Sequence, residues 1–238
     1  MTGARPLEGL RVIELGQLLA GPFAGTVLGY FGAEVIKVEP PTGDPIRQWR
    51  EVRNGMSLWY HSLARNKKSV TLDLKSEKGQ QLAFDLLSKA DVVIENFRPG
   101  AMERMGFSEP VLRERNDKLI YVSISGFGEA GPYAHKRVYD PVIQALSCAA
   151  DIQADRATGR PQMFRIIAAD KVTALTAAQA ISAALYARER TGEGQHVRLS
   201  MLDAMLSFFW PEAMAGLTFA EKEFDVTPYQ GAMDLVFE

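Results

Sequence analysis

The chain has 238 residues, 47% of them hydrophobic, which fits one large α/β domain or two small ones. Its net charge of −2 gives no general attraction to nucleic acid or to an anionic membrane surface. The single cysteine, Cys148, excludes an intrachain disulfide, and no apolar run has signal-peptide or membrane-spanning character, so we expect a cytoplasmic location without membrane contact.

Strands and helices alternate along the chain, which predicts a Rossmann-like parallel sheet flanked by helices. We predict strands at 11–15, 34–39, 69–74, 91–97, 118–125 and 195–200, the first two being parallel neighbours. We predict helices at 20–31, 76–90, 140–150, 171–190 and 203–214, with Asp140 near the start of its helix. Ser76 should cap the second helix, and Leu82, Leu86 and Leu87 should share its buried face.

Two segments between the predicted elements are informative. The turn from Gly16 to Gly25 lacks the dinucleotide-binding spacing, and Pro22 removes an N–H group that a pyrophosphate could use. This glycine-rich turn either lets a ligand approach the backbone closely or only packs a helix tightly on a strand. The long polar loop 40–66, which contains Trp49 and Trp59, is typical of a functional loop or of one with structure of its own.

Basic residues recur where the predicted strands meet loops, with Arg65, Lys67 and Lys68 before the strand at 69–74 and the others after strands. The carboxyl ends of parallel strands meet at one edge of the sheet, so the side chains that follow strands should gather where ligands bind. A set of cations there suits a phosphate-bearing ligand, although each cation taken singly is better explained as a solvated surface charge. The set consists of Arg65, Lys67, Lys68, Lys75, Arg98, Arg104, Lys136 and Arg137.

Asp170 lies between a short apolar run and the longest predicted helix. A carboxylate at such a boundary is first of all a helix N-cap, since its oxygens accept free N–H groups of the first turn. The same N–H groups and the helix dipole should keep it ionised at neutral pH. An ionised, fixed carboxylate can also attack an acyl carbon, and we favour this nucleophilic role.

Six blocks of sequence, in order along nearly the whole chain, resemble the family III CoA-transferases, the family of carnitine and bile-acid CoA-transferases. The first block is LEGLRVIEL followed by AGP at 20–22, and the second is LGYFGAEVIKVE at 28–39. The others are KKSVTLDLK at 67–75, DVVIENFRPG at 91–100, SISGFG at 123–128 with GPY at 131–133, and RTGEGQ at 190–195.

The resemblance implies a role for particular residues. It implies that Asp170 attacks an acyl-CoA thioester to give a mixed anhydride, that CoA returns to form an aspartyl thioester, and that an acceptor acid then takes the CoA. CoA is thus a substrate, and neither a permanent cofactor nor a metal is expected. The CoA contacts implied are Gln17, Leu18, Lys37, Leu72, Lys75, Asn96, Phe97, Arg98, Arg104, Lys136, Arg137 and Tyr139.

The resemblance also bears on domains and partners. It implies a CoA-binding and catalytic large domain at 1–220, the start of a linker at 221–238, and an interlocked homodimer or a partner chain that supplies a missing smaller domain. The residues 233–238 read as a strand without a continuation, so we expect the chain to be truncated. Two alternatives stay open: a 2-methylacyl-CoA racemase, against which Tyr139 counts because that role needs a histidine there, and a non-catalytic CoA-binding scaffold.

Overall fold

The computed structural model describes residues 5–213. The predicted linker at 221–238 and the predicted terminal strand at 233–238 lie outside the described residues. In the described part, no helix is both long and apolar enough to cross a bilayer. The strands are β1 (Arg11–Glu14), β2 (Glu34–Glu39), β3 (Val52–Arg53), β4 (Met56–Ser57), β5 (Lys67–Thr71), β6 (Val92–Glu95), β7 (Ile120–Ser125) and β8 (Gln195–Ser200).

Six of these strands form one parallel sheet in the order β5-β2-β1-β6-β7-β8. The predicted parallel pairing of the first two strands is confirmed, with Arg11 opposite Glu34. The strand predicted at 69–74 begins earlier, at Lys67, and ends at Thr71. β3 and β4 form a separate antiparallel hairpin inside the 40–66 loop, turned by Asn54 and Gly55, both at positive φ.

The helices confirm the predicted alternation, with two corrections. The helix predicted at 140–150 is two helices, because Cys148 adopts a left-handed φ of 64° and ends the first of them. Leu82 is 47% exposed, so the buried face of its helix is carried by Ala83 and Leu87 instead. The helices are α1 (Ala20–Tyr30), α2 (Leu58–Leu63), α3 (Glu77–Leu87), α4 (Ala101–Arg104), α5 (Glu109–Arg113), α6 (Asp140–Leu146), α7 (Ala149–Ile152), α8 (Ala168–Thr191) and α9 (Met201–Ala213), with a 3-10 turn at Pro45–Gln48.

Both faces of the sheet are covered by apolar cores, as the continuous hydrophobic strands require. Val12, Val92 and Val122 face one core, which α1, α6, α8 and α9 complete. Ile13 and Val93 face the opposite core, to which α3, α4 and α5 contribute. Successive strand residues therefore alternate between two buried faces rather than between core and solvent.

The order of the strands reverses between β1 and β6, the two central strands. The chain runs from β1 outwards through β2 to β5, then returns to β6 and continues outwards through β7 to β8. The loops that leave β1 and β6 at their carboxyl ends therefore diverge and leave a crevice between them, which is where ligands of open α/β sheets bind.

A buried cluster of charges lies behind the loop that leaves β1. The ammonium of Lys37 contacts Glu14 Oε1 at 2.9 Å and Asp44 Oδ2 at 2.8 Å, while Lys67 contacts Glu14 Oε2 at 2.6 Å. All four side chains are at most 3% exposed, and two cations balance two carboxylates. Although burial opposes ionisation of Glu14, Lys67 and Lys37 hold its pKa below the usual value.

We expect removal of Lys37 to destabilise the protein strongly. Lys37→Met leaves two buried carboxylates with one cation, which should lower the free energy of unfolding by about 3–5 kcal/mol in urea denaturation. The control is Arg11→Met, which breaks a 2.8 Å ion pair with Glu34 between the same two strands. Arg11 is 41% exposed, so its loss should cost under about 1 kcal/mol. Equal losses in the two variants would contradict the structural role of the cluster.

Candidate active site

A cavity of about 860 Å³ occupies the crevice at the point where the strand order reverses. Its walls are the loops after β1, β6 and β7, the segment before α6, the segment before α8, and the tryptophans of the 40–66 loop. The structure brings together nine of the residues singled out from the sequence. These are Gln17, Leu18, Asn96, Phe97, Arg98, Lys136, Arg137, Tyr139 and Asp170.

The wall after β1 is held in an unusual backbone conformation. Leu18 has a φ of 64°, a left-handed value that costs a residue with a Cβ about 1 kcal/mol or more. Its N–H group donates to the carboxylate of Asp44 at 3.2 Å. The side-chain amide of Asn96 forms hydrogen bonds with both backbone groups of Gln17: it accepts from the N–H at 2.8 Å and donates to the carbonyl at 3.0 Å. A Cβ at Gly16 would lie 2.8 Å from Asn96 Oδ1, so a larger residue there would displace the amide that holds Gln17.

Lys37 is not a direct CoA contact, which corrects the prediction made for it. Its ammonium is buried, and besides Glu14 and Asp44 it donates to the carbonyl of Gly16 at 2.9 Å. The buried ammonium of Lys37 therefore fixes the loop after β1 through the carbonyl of Gly16. Leu72, Lys75 and Arg104 do not line the cavity either, and their contacts with CoA stay predictions.

Uncompensated positive charge is the main electrostatic feature of the cavity. Within residues 5–213, none of its six lining cations forms a salt bridge with a carboxylate. Arg50 lies over the ring of Trp59 at 5.8 Å, and Lys136 lies over Tyr133 at 5.7 Å. Such a cavity suits a polyanion. The six cations are Arg50, Arg98, Lys136, Arg137, Arg165 and Lys171.

Asp170 lies in the first turn of α8, and the prediction that it is the N-cap is wrong. The cap position is Ile167, whose side chain cannot accept a hydrogen bond. The N–H group of Asp170 instead donates to Oδ2 of Asp140, at 3.1 Å, from the start of α6. The capping carboxylate thus comes from 30 residues earlier in the chain.

The prediction that Asp170 is held ionised at neutral pH is also wrong for the unliganded protein. Burial is the largest cause and the carboxylate of Asp140 adds to it, so the pKa of Asp170 rises to about 7. The backbone N–H of Ala20, in the first turn of α1, opposes the shift without cancelling it. Asp170 is therefore poised between its two protonation states at neutral pH, as an acid–base or nucleophilic group commonly is.

Sequence reasoning missed several residues of the cavity. Gln144, four residues after Asp140, donates to Oδ1 of Asp140 at 2.5 Å and to the carbonyl of Ile166 at 3.2 Å. Arg50 and Arg165 follow no strand, so the search for cations after strands could not find them. The i,i+4 spacing of Asp140 and Gln144 was the available signal for their contact on one helix face.

Comparisons with known proteins place these features in context. The family model for CoA-transferase family III matches residues 7–231. Succinyl-CoA–D-citramalate CoA-transferase of Chloroflexus aurantiacus is 44% identical over 85% of the chain, and succinate–glutarate CoA-transferase of Agrobacterium fabrum is 43% identical over 83%. The chain spans about half of these relatives' length, 51% of each. A CAIB/BAIF family protein from Brucella suis superposes with a TM-score of 0.87 and 38% identity, over 96% of this chain and 60% of that one.

The raised pKa of Asp170 predicts a pH-dependent effect of Asp170→Asn on stability. A carboxyl group whose pKa is higher in the folded state favours folding less as pH rises from about 4 to about 7. The amide cannot ionise, so the variant should match the wild type near pH 4 and exceed it by about 2–4 kcal/mol at pH 8. Urea denaturation at both pH values measures this difference.

The matched control is Asp203→Asn, which changes an exposed aspartate in the first turn of α9. Its loss removes only a favourable interaction with a helix N-terminus, so it should destabilise by under about 1 kcal/mol at pH 8. Destabilisation by Asp170→Asn at pH 8 would mean that Asp170 is an ionised, stabilising helix cap after all.

Proposed function

Because the chain belongs to CoA-transferase family III, we propose that it moves CoA between an acyl-CoA and a carboxylic acid, with Asp170 as the covalent carrier. The observation that carries the proposal is a half-buried carboxylate beside the N-terminus of α1, in a cavity whose other charged walls are mostly cationic. A carboxylate in that setting can reach a thioester carbonyl once a polyanion has filled the cavity.

The proposed reaction balances with the residues at hand. An oxygen of ionised Asp170 bonds to the thioester carbonyl carbon, and the C–S bond breaks with its electron pair leaving on the CoA sulfur. The thiolate then attacks Cγ of Asp170, which releases the first acid and leaves an aspartyl thioester. The acceptor carboxylate attacks that thioester, which forms a second mixed anhydride and releases the CoA thiolate again. The thiolate then attacks the acyl carbonyl of the acceptor, which gives the new acyl-CoA and regenerates the Asp170 carboxylate.

The cations of the cavity support CoA as the ligand. Arg98 follows β6, and Lys136 and Arg137 precede α6, so positive side chains flank the crevice on two sides. Each can form a charge-assisted hydrogen bond to a phosphate oxygen.

We propose dicarboxylic acids as the acids exchanged. The names of the two relatives describe transfer between succinyl-CoA and citramalate and between succinate and glutarate. Arg50 reaches the cavity from the 40–66 loop and Arg165 from the segment before α8, and neither pairs with a carboxylate within residues 5–213. A guanidinium there suits the second carboxylate of such an acid, since Arg binds carboxylates with two parallel hydrogen bonds.

The racemase alternative has less support. Exchange of an α-proton needs a second proton carrier opposite the first. The residue before Asp140 is Tyr139, which is 67% exposed, and within the described residues no histidine lines the cavity. The homodimer or partner chain and the cytoplasmic location stay predictions.

We expect a covalent trap to mark Asp170. The protein is incubated at pH 8 with succinyl-CoA and hydroxylamine, which converts an acyl anhydride or thioester on the enzyme to a hydroxamate. Peptide mass spectrometry should find the hydroxamate on Asp170, and Asp170→Asn should reduce labelling by orders of magnitude because an amide is a poor nucleophile. Butyryl-CoA, which has a methyl group where succinyl-CoA has its second carboxylate, should label at least about tenfold less.

Two controls sharpen the trap. Lys89→Ala removes an exposed cation between α3 and β6, at the opposite edge of the sheet, and should label like the wild type. Arg98→Ala should require more succinyl-CoA for the same labelling, since it removes a charge-assisted bond worth about 1.5–3 kcal/mol. A hydroxamate on another residue, or full labelling in Asp170→Asn, would exclude Asp170 as the carrier. Equal labelling by both thioesters would exclude the preference for dicarboxylates.

A further inference from the structure

We propose that Asp140 is a positioning residue for Asp170: its carboxylate, fixed by Gln144, caps the first turn of α8 and keeps a second negative charge beside the Asp170 side chain. The inference rests on the proposed role of Asp170 as the carrier of the acyl group.

Hydrogen bonds to both carboxylate oxygens fix the orientation of the Asp140 side chain. Its Oδ1 accepts from Nε2 of Gln144 at 2.5 Å, and its Oδ2 accepts from the N–H of Asp170 at 3.1 Å. Gln144 is held in turn, because its Oε1 accepts from the N–H of Phe164 at 2.9 Å and its Nε2 also donates to Ile166 at 3.2 Å. Asp140 and Gln144 are only 5% and 2% exposed.

This arrangement accounts for the start of α8. A helix needs acceptors for its first free N–H groups, and Ile167 at the cap position offers none. The carboxylate of Asp140, on α6, supplies such an acceptor. The hydrogen bonds of Gln144 with the backbone of residues 164 and 166 fix the segment that leads into α8. The backbone of Asp170 is thereby fixed, while its carboxylate faces the N–H of Ala20 at the start of α1.

The second carboxylate has a chemical consequence. Like charges side by side disfavour ionised Asp170, which makes its carboxylate more basic and, once ionised, a better nucleophile. Acylation converts Asp170 to a neutral anhydride or thioester, so the repulsion with Asp140 is present before the bond forms and absent afterwards. Asp140 thus destabilises the reactant relative to the acylated state. Burial and Asp140 are the two causes that raise the pKa of Asp170, in that order.

Other charged or titratable groups line the same cavity and also act on Asp170. Lys171 adjoins Asp170 on α8, Lys136, Arg137 and Tyr139 precede α6, and Arg165 precedes α8. Arg50 reaches the cavity from the 40–66 loop and Arg98 from the loop after β6. A change confined to Asp140 leaves all of these groups in place, so their contribution cancels between the wild type and a variant.

Two variants separate the cap from the charge. Asp140→Asn removes the charge and keeps one oxygen, which can accept from the Asp170 N–H, while its NH2 group takes the place of the oxygen that accepts from Nε2 of Gln144. Asp140→Glu keeps the charge but moves the carboxylate by one methylene group, away from the N–H. Titration of the Asp170 carboxyl carbon by ¹³C NMR and hydrogen exchange of the Asp170 amide then read the two effects without reference to activity.

In Asp140→Asn, the pKa of Asp170 should fall by about one unit or more while its amide stays protected. In Asp140→Glu, the pKa should stay raised while the amide exchanges about tenfold faster or more. The acidic limb of the pH profile for hydroxamate formation from succinyl-CoA should move to lower pH in Asp140→Asn by the same number of units. A merely structural residue would lower labelling at every pH without moving the limb.

The outcomes distinguish failure of this inference from failure of the proposed function. An unchanged pKa of Asp170 in Asp140→Asn, or an unchanged amide exchange rate in Asp140→Glu, would overturn the role of Asp140 even if the wild type is labelled on Asp170. The expected NMR shifts together with no labelling of wild-type Asp170 at any pH would leave the pairing of the carboxylates intact and overturn the transfer reaction. If one variant fails to fold, the other still tests its own half of the inference.

Discussion

The contact of Lys37 with two carboxylates and a loop carbonyl is the constraint on which the rest of the site depends. One ammonium, 3% exposed, joins Glu14 of β1, Asp44 of the 40–66 loop and the carbonyl of Gly16. Asp44 in turn accepts a hydrogen bond from the N–H of Leu18, a residue at positive φ that lies two positions before α1. A buried ion pair contributes little net stability when its desolvation is counted, so a cluster of this kind is better explained by the geometry that it imposes.

The position of the Asp170 carboxylate is fixed by contacts on two sides. On one side, the fixed loop after β1 sets where α1 begins, and therefore where the N–H of Ala20 meets the Asp170 carboxylate. On the other side, Asp140 and Gln144 fix the first turn of α8. The first turns of two helices thus converge on one half-buried carboxylate, and helix N-termini favour anions. Burial and Asp140 act against that preference, which leaves Asp170 poised near neutral pH rather than permanently ionised.

Local pattern was enough to predict the layers of the fold and the edge of the sheet that forms the site. β2 and β8 have the predicted bounds, because buried apolar runs are typical of the strands of a parallel sheet. Nine predicted site residues line one cavity, but five of them, Gln17, Leu18, Asn96, Phe97 and Tyr139, were implied only by the family resemblance. What failed depends on contacts distant in sequence. Lys37 reads as a strand-borne cation, and only the fold shows that Glu14 and Asp44 enclose it. The sequence predicts that the Asp170 side chain caps its own helix, because local pattern cannot predict that the cap comes from Asp140, 30 residues away.

The most direct test of this account is a crystal structure of the protein with CoA bound. We predict that the CoA sulfur lies about 3–3.5 Å from a carboxylate oxygen of Asp170, the near-attack separation. The pantetheine should pass between the loops after β1 and β6, and the phosphates should contact cations of the cavity such as Arg98. CoA bound with its sulfur away from Asp170, or bound at the opposite edge of the sheet, would contradict the account.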